Sequence, residues 1–200
     1  MIDPVLAGLV TGLSLIVAIG AQNAYVLRQG LIREHVGLVV AICALSDVVL
    51  IVAGVAGIGT VVERAPTALT VVRWLGVAFL GWYGVSSLLR ARRTESLHAA
   101  AGRTGSRGSA VARATALTWL NPHVYLDTVL LLGSVANHEG PSGRWWFALG
   151  ACVASLLWFT GLGYGARLAS RVLARPRAWQ VLDVAIGLVM LGIAGMLAVG

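Results

Sequence analysis

The chain alternates long apolar runs with short segments that carry most of its charges. Cutting the sequence at its charged residues leaves six runs, at 4–27, 36–62, 67–89, 114–137, 145–166 and 179–200. Each approaches or exceeds the roughly 20 residues that a helix needs to cross about 30 Å of hydrocarbon. The pattern therefore predicts an all-α membrane protein with about six transmembrane helices.

The composition agrees with this prediction. Of the 200 residues, 58% are hydrophobic and 12% are charged, which is more apolar than the roughly half-apolar usage of soluble domains. A water-soluble fold has no place for that much apolar surface. Because the sequence begins Met1-Ile2-Asp3, without the positive segment that opens a signal peptide, we interpret the first run as a retained helix.

The basic residues predict an orientation in the membrane. All 15 are arginine, and they lie mainly in the short segments between the apolar runs, which indicates membrane orientation rather than nucleic-acid binding. Twelve fall in the first, third and fifth loops, and three lie in or beside the second and fourth. Since positive residues stay on the cytoplasmic side, both termini are predicted to lie outside and segment 91–112 in the cytoplasm.

Segment 91–112 is rich in Ala, Gly, Ser, Thr and Arg and is interpreted as a flexible connector between residues 1–90 and 113–200. Shifting the chain by 109 residues pairs Cys43 with Cys152, Ser46 with Ser155, and Gly54 with Gly163. Each half holds an odd number of spans, so a repeat must be inverted, as in many secondary transporters. The sequence thus predicts two inverted three-helix repeats, although a few such matches also arise by chance.

Two carboxylates fall near the centres of their spans, Asp47 in the second and Asp127 in the fourth. An acidic residue at that depth costs about 3 kcal/mol on insertion scales. No arginine lies at a matching depth, so a proton or a bound cation must compensate each charge. We predict that both face a shared cavity and bind substrate; the alternative is that they hydrogen-bond neighbouring helices.

The fourth span contains the motif TWLNPHVYLDT, in which Pro122 predicts a helix break. Broken helices near the midplane are where transporters present backbone groups to substrates. Asn121 and Tyr125 share one helix face, as do His123 and Asp127. All four are candidate site residues, and His123 is also a candidate proton carrier because its side chain titrates nearest to neutral pH. The alternative is an ordinary proline kink with an aromatic residue packed beside it.

The first span contains the corresponding stretch GAQNAYVLRQG. Gly20 is the candidate break there, and the side-chain amides of Gln22 and Asn23 are candidates to line the same cavity, because lipid would not tolerate them. The alternative is that these amides cap a helix near the cytoplasmic surface, since Arg28 follows closely.

Four stretches carry a family resemblance: GAQNAYVLRQG, LSDVVLIVAGVAG, GVAFLGWYG and, above all, TWLNPHVYLDTVLLLGS. They resemble the bacterial lysine exporter family, and are most similar to its arginine exporter branch. By position, the resemblance carries the family's motif onto Gln22, Asn23, Asp47, Asn121, Pro122, His123, Tyr125 and Asp127. One departure is that the family often has proline where this chain has Ala21. That departure leaves open how sharply the first span is broken.

The resemblance implies export of the basic L-amino acids arginine or lysine across the bacterial cytoplasmic membrane. It further implies that a proton or membrane-potential gradient drives the transport and that the protein is a homodimer. We expect no catalytic residues, metal site, cofactor or nucleic-acid partner. Open alternatives are an exporter of neutral amino acids or of another small cation, an intramembrane thiol oxidoreductase using Cys43 and Cys152, and a structural scaffold. The absence of a CxxC motif weighs against the oxidoreductase.

Overall fold

A computed structural model describes residues 2–17, 20–57, 66–91, 106–169 and 176–199, and within these ranges all regular structure is helical. The all-α prediction is confirmed. The helices are α1 Ile2–Ile16, α2 Ala21–Ile32, α3 Val36–Val55, α4 Pro66–Ala91, α5 Arg107–Trp119, α6 Pro122–Val124, α7 Gly133–His138, α8 Gly140–Ala169 and α9 Pro176–Val199. A π-helical segment, Tyr125–Leu132, joins α6 to α7.

Several helices are long and apolar enough to cross a membrane. Those among the described residues are Val36–Val55, Thr70–Ala91, Gly140–Leu168 and Gln180–Val199, and α1 and α2 together make a fifth candidate span bent by 83°. Large apolar side chains such as Leu45, Leu157 and Leu188 point outward from these helices. Such surfaces suit contact with lipid, so the fold is that of a multi-pass membrane protein.

The start of the fourth run differs from the apolar pattern. Helix α5 begins at Arg107, because the Ser106 hydroxyl accepts a hydrogen bond of 3.2 Å from the Ser109 backbone N–H and caps the first turn. Arginine and alanine are good helix formers, but arginine is not apolar, so hydropathy alone misses this turn. Residues 92–105 of the predicted connector lie outside the described residues.

Glycines let the helix backbones approach closely. Helix α1 packs along α8 and α4 packs along α9, while α3 lies against α8 and the π-helical segment. A Cβ atom added at Gly8 would lie 2.0 Å from the Phe147 carbonyl oxygen, and one added at Gly150 would lie 2.0 Å from the Val5 carbonyl oxygen. Helices α1 and α8 are therefore in backbone contact, as small residues allow in membrane bundles.

Arginines hold α9 near both of its ends. The carboxylate of Asp183, which is 3% exposed, lies 3.5 Å from Arg28 Nε of α2 and 3.7 Å from Arg90 Nε of α4. We call these three residues the Asp183 cluster. At the other end, Arg73 of α4 donates hydrogen bonds to the carbonyl oxygens of Leu197 and Ala198. Helix α9 is thus fixed to α4 at both ends and to α2 at one.

Candidate functional site

A cavity of about 390 Å³, here called the central cavity, lies where the first and fourth runs are interrupted. Its walls come from both interrupted helices and from α3, α8 and α9. Its volume falls within the range of about 300–1,000 Å³ that is usual for small-ligand pockets. The polar side chains among its lining are Gln22, Asn23, Asp47, Asn121, His123, Asp127 and Thr128.

The first interruption separates α1 from α2. Gly20 precedes α2 with extended backbone (φ −113°, ψ 177°), so the helical hydrogen-bond ladder does not run through it. Asn23 Nδ2 reaches back and donates a 2.7 Å hydrogen bond to the Ile16 carbonyl oxygen near the end of α1, and Trp158 Nε1 donates to Asn23 Oδ1 at 3.2 Å. Helices α1 and α2 are bent by 83° relative to each other. The bend does not require proline at position 21, where this chain has alanine.

The second interruption falls at Asn121, between α5 and α6. Asn121 has extended backbone (φ −97°, ψ 106°), and its Oδ1 accepts a 3.2 Å hydrogen bond from the His123 backbone N–H. Pro122 occupies the first turn of α6, where its missing N–H costs nothing. The Tyr125 hydroxyl donates a 2.8 Å hydrogen bond to the Trp119 carbonyl oxygen. Side chains after each interruption thus satisfy carbonyl oxygens before it.

The segment that follows the second interruption has π-helical hydrogen bonding from Tyr125 to Leu132. Asp127 and Thr128 lie within it and line the central cavity. Short π-helical stretches occur frequently at functional sites. The local widening of the helix therefore coincides with the carboxylate that the sequence singled out.

Asp47 enters the cavity from α3 and is 6% exposed. The buried Ser155 hydroxyl of α8 donates a 2.7 Å hydrogen bond to Asp47 Oδ2, which fixes the orientation of the carboxylate. Beside it, Trp119 Nε1 donates to the Ser46 hydroxyl at 3.0 Å. Within the described residues, ion pairs to arginine are found at Asp183 rather than at Asp47 or Asp127, so no described cation neutralises the two cavity carboxylates.

Most of the residues predicted for the site line this one cavity. They are Gly20, Gln22, Asn23, Asp47, Asn121, His123 and Asp127. Tyr125 and Pro122 are placed differently: the Tyr125 hydroxyl is engaged by the chain's own backbone, and Pro122 lines a neighbouring cavity.

Sequence reasoning missed several residues of the site, among them Ser155 and Trp158, which hydrogen-bond its side chains, and Thr128 and Met196, which line the cavity. Trp158 lies in the middle of its apolar run, away from the interfacial positions that tryptophan usually occupies. Ser155 is likewise a polar residue in mid-span. Both were detectable signals, whereas Met196 offered none, because an apolar residue in an apolar run does not reveal which way it faces.

The chain is similar to named transporters over most of its length. It is 42% identical to "Lysine exporter LysE" of Corynebacterium diphtheriae, covering 93% of this chain and 94% of that protein, and 38% identical to a protein of the same name in Corynebacterium efficiens, covering 94% of each. It is 43% identical to "Arginine exporter protein ArgO" of Yersinia enterocolitica, covering 99% of this chain and 97% of that protein.

No solved structure matches the chain. The family model described as "LysE type translocator" matches residues 13–200, which include both interruptions and every polar residue of the central cavity. On the extent of this match and on the identity to the two groups of exporters, the chain belongs to the LysE type translocator family.

Proposed function

We propose that the protein exports basic L-amino acids, arginine or lysine, from the bacterial cytoplasm across the inner membrane. The observation that carries this proposal is the pairing of Asp47 and Asp127 in one cavity, with no described cation to neutralise them. The names of the relatives, a lysine exporter and an arginine exporter, point to the same class of cargo and to transport rather than enzymatic chemistry.

The charges of a basic amino acid complement this cavity. Its side-chain cation and its α-ammonium group are two positive charges that suit two carboxylates, and holding an unpaired carboxylate in a membrane interior is costly without such a guest. Gln22 and Asn121 add amide groups, and the backbone N–H groups that begin α2, which no side chain caps, favour the substrate's α-carboxylate. Asn23 and Tyr125 hold the two interruptions in shape through their bonds to Ile16 and Trp119.

The inverted repeat is part of the proposal, and two glycine contacts support it. A Cβ atom at Gly133 would lie 2.6 Å from the Gly54 carbonyl oxygen, and a Cβ atom at Gly30 would lie 2.3 Å from the Gly163 carbonyl oxygen. Gly54 and Gly163 correspond under the shift of 109 residues, while Gly30 and Gly133 both follow an interruption. In one contact a helix of the first half (Gly30) approaches α8 of the second half, and in the other the fourth run of the second half (Gly133) approaches α3 of the first half.

The proposed mechanism is alternating access, in which the two halves rock about the central cavity. Asp47 and Asp127 bind the cation while ionised and release it when protons arrive from the outside, so that the proton gradient or the membrane potential drives export. His123 lines the same cavity and is the proposed proton-coupling group together with Asp127. Both termini outside, as the arginine distribution predicts, and a homodimer complete this proposal.

The test is transport of labelled arginine into inverted membrane vesicles carrying Asp47→Asn or Asp127→Asn. Asparagine keeps the shape and removes the charge, and losing a charge-assisted contact of about 1.5–3 kcal/mol should reduce transport by about tenfold or more. Asp3→Asn, at an exposed position near the start of α1, is the matched control. Undiminished transport by both cavity variants would refute the assignment. Competition by lysine, threonine or cadmium would separate basic amino acids from neutral amino acids and metal cations.

A further inference from the structure

A second cavity, also of about 390 Å³, adjoins the central cavity at the end of the bundle where α4 begins and α9 ends. Its walls include Thr70 and Arg73 of α4, Leu126 of the π-helical segment and Leu197 of α9. The arginine distribution predicts that this end faces outside, because Arg28 and Arg90 lie toward the opposite, cytoplasmic end.

Two side chains, His123 and Met196, line both cavities. They come from different elements, α6 and α9, and both therefore lie on the boundary that the two cavities share. Met196 is 69% exposed, so little packing holds its side chain in place. Methionine is unbranched and adaptable, and exposed side chains change rotamer within nanoseconds. A boundary lined in this way can open without moving a helix.

The two cavities differ in charge. Asp47 and Asp127 line the central cavity, whereas Arg73 lines the second cavity, where no carboxylate is found among the described lining residues. A cationic side chain that passes from the central cavity into the second cavity leaves two carboxylates behind and approaches the positive charge of Arg73. Affinity for the cation must therefore fall along this direction, which favours release, while Arg73 attracts the α-carboxylate of the departing amino acid.

We propose that the second cavity is the exit chamber of the export path and that His123 and Met196 form the gate between this chamber and the central cavity. The inference deepens the proposed function and rests on it for the cargo and the direction. The gate itself follows from the shared boundary alone, so it can be tested without any substrate.

The experiment places single cysteines on either side of the gate in the full-length protein in intact cells. Thr70→Cys lies in the exit chamber only, and Thr128→Cys lies in the central cavity only. Both are reacted from outside with a membrane-impermeant cationic methanethiosulfonate, and protein without an added cysteine gives the background from Cys43 and Cys152. Adding Met196→Trp should slow labelling of Thr128→Cys by about tenfold or more, which corresponds to about 1.4 kcal/mol of added barrier, and should leave labelling of Thr70→Cys unchanged. Met196→Ala should accelerate labelling of Thr128→Cys.

Leu188→Trp is the matched control, since it adds the same ring to the outward face of the same helix and should change neither rate. His123→Trp narrows the gate from the opposite side and replaces Met196→Trp if that variant does not fold. Equal labelling of Thr128→Cys with and without the tryptophans, or labelling only in inverted vesicles, would overturn the proposal. If labelling behaves as expected but arginine is not transported, the gate stands and the proposed cargo fails.

Discussion

Replacing Asp183 with asparagine should destabilise the protein strongly, because two arginines form ion pairs with this one buried carboxylate. At distances of 3.5 and 3.7 Å and an effective dielectric constant of about 20, each attraction is worth about 4–5 kcal/mol before desolvation is subtracted. Breaking a buried charge pair typically costs about 3–5 kcal/mol. The Arg90 side chain is 33% exposed and partly screened by solvent, so we expect about 3 kcal/mol for Asp183→Asn.

The assay is thermal unfolding of the purified protein in detergent. About 3 kcal/mol should lower the Tm by about 6–12 °C for a chain of this length. Adding Arg28→Gln to Asp183→Asn should recover part of the loss, because the second change removes a buried positive charge that the Asp183 carboxylate no longer balances. Asp3→Asn is the surface control. A Tm for Asp183→Asn equal to that of the parent, or additive losses in the double variant, would refute the reasoning.

Two further changes test the packing around the interruptions by the same melting assay. Gly133→Ala should lower stability by about 1–3 kcal/mol, because the new Cβ atom meets the facing α3 backbone, whereas Gly161→Ala meets no atom within 4 Å and should be neutral. Tyr125→Phe should cost about 1–3 kcal/mol by leaving the Trp119 carbonyl oxygen unpaired, while Tyr164→Phe, at a position 41% exposed, should cost less. Equal effects within either pair would contradict these accounts.

Much of the helical framework could be predicted from the sequence, because apolar runs report directly on lipid contact. The two interruptions could also be predicted from the sequence. Pro122 has no backbone N–H and breaks the helical hydrogen-bond ladder, and Gly20 comes just before Gln22 and Asn23, whose side-chain amides lipid excludes. The cost of a charge in hydrocarbon was enough to predict that Asp47 and Asp127 face one cavity. Each of these inferences depends on a single residue and the solvent around it.

The remaining features depend on pairs of residues that are distant in sequence. Ser155 lies 108 positions from Asp47, and Arg28 lies 155 positions from Asp183, so neither contact leaves a local pattern. The π-helical hydrogen bonding over Tyr125–Leu132 is equally invisible, since the same apolar residues suit an ordinary helix. Hydropathy gives the environment of a residue but not its neighbour.

Helix α9 carries Asp183 toward one end and Met196 toward the other, with about 20 Å of uninterrupted helix between them at 1.5 Å per residue. A rod of this kind resists bending, so it behaves as a lever. A tilt that draws Asp183 away from Arg28 on one side of the membrane must shift Met196 on the other. A displacement of the helix at one face of the protein is therefore transmitted to the other face, in addition to any rotation of the Met196 side chain itself.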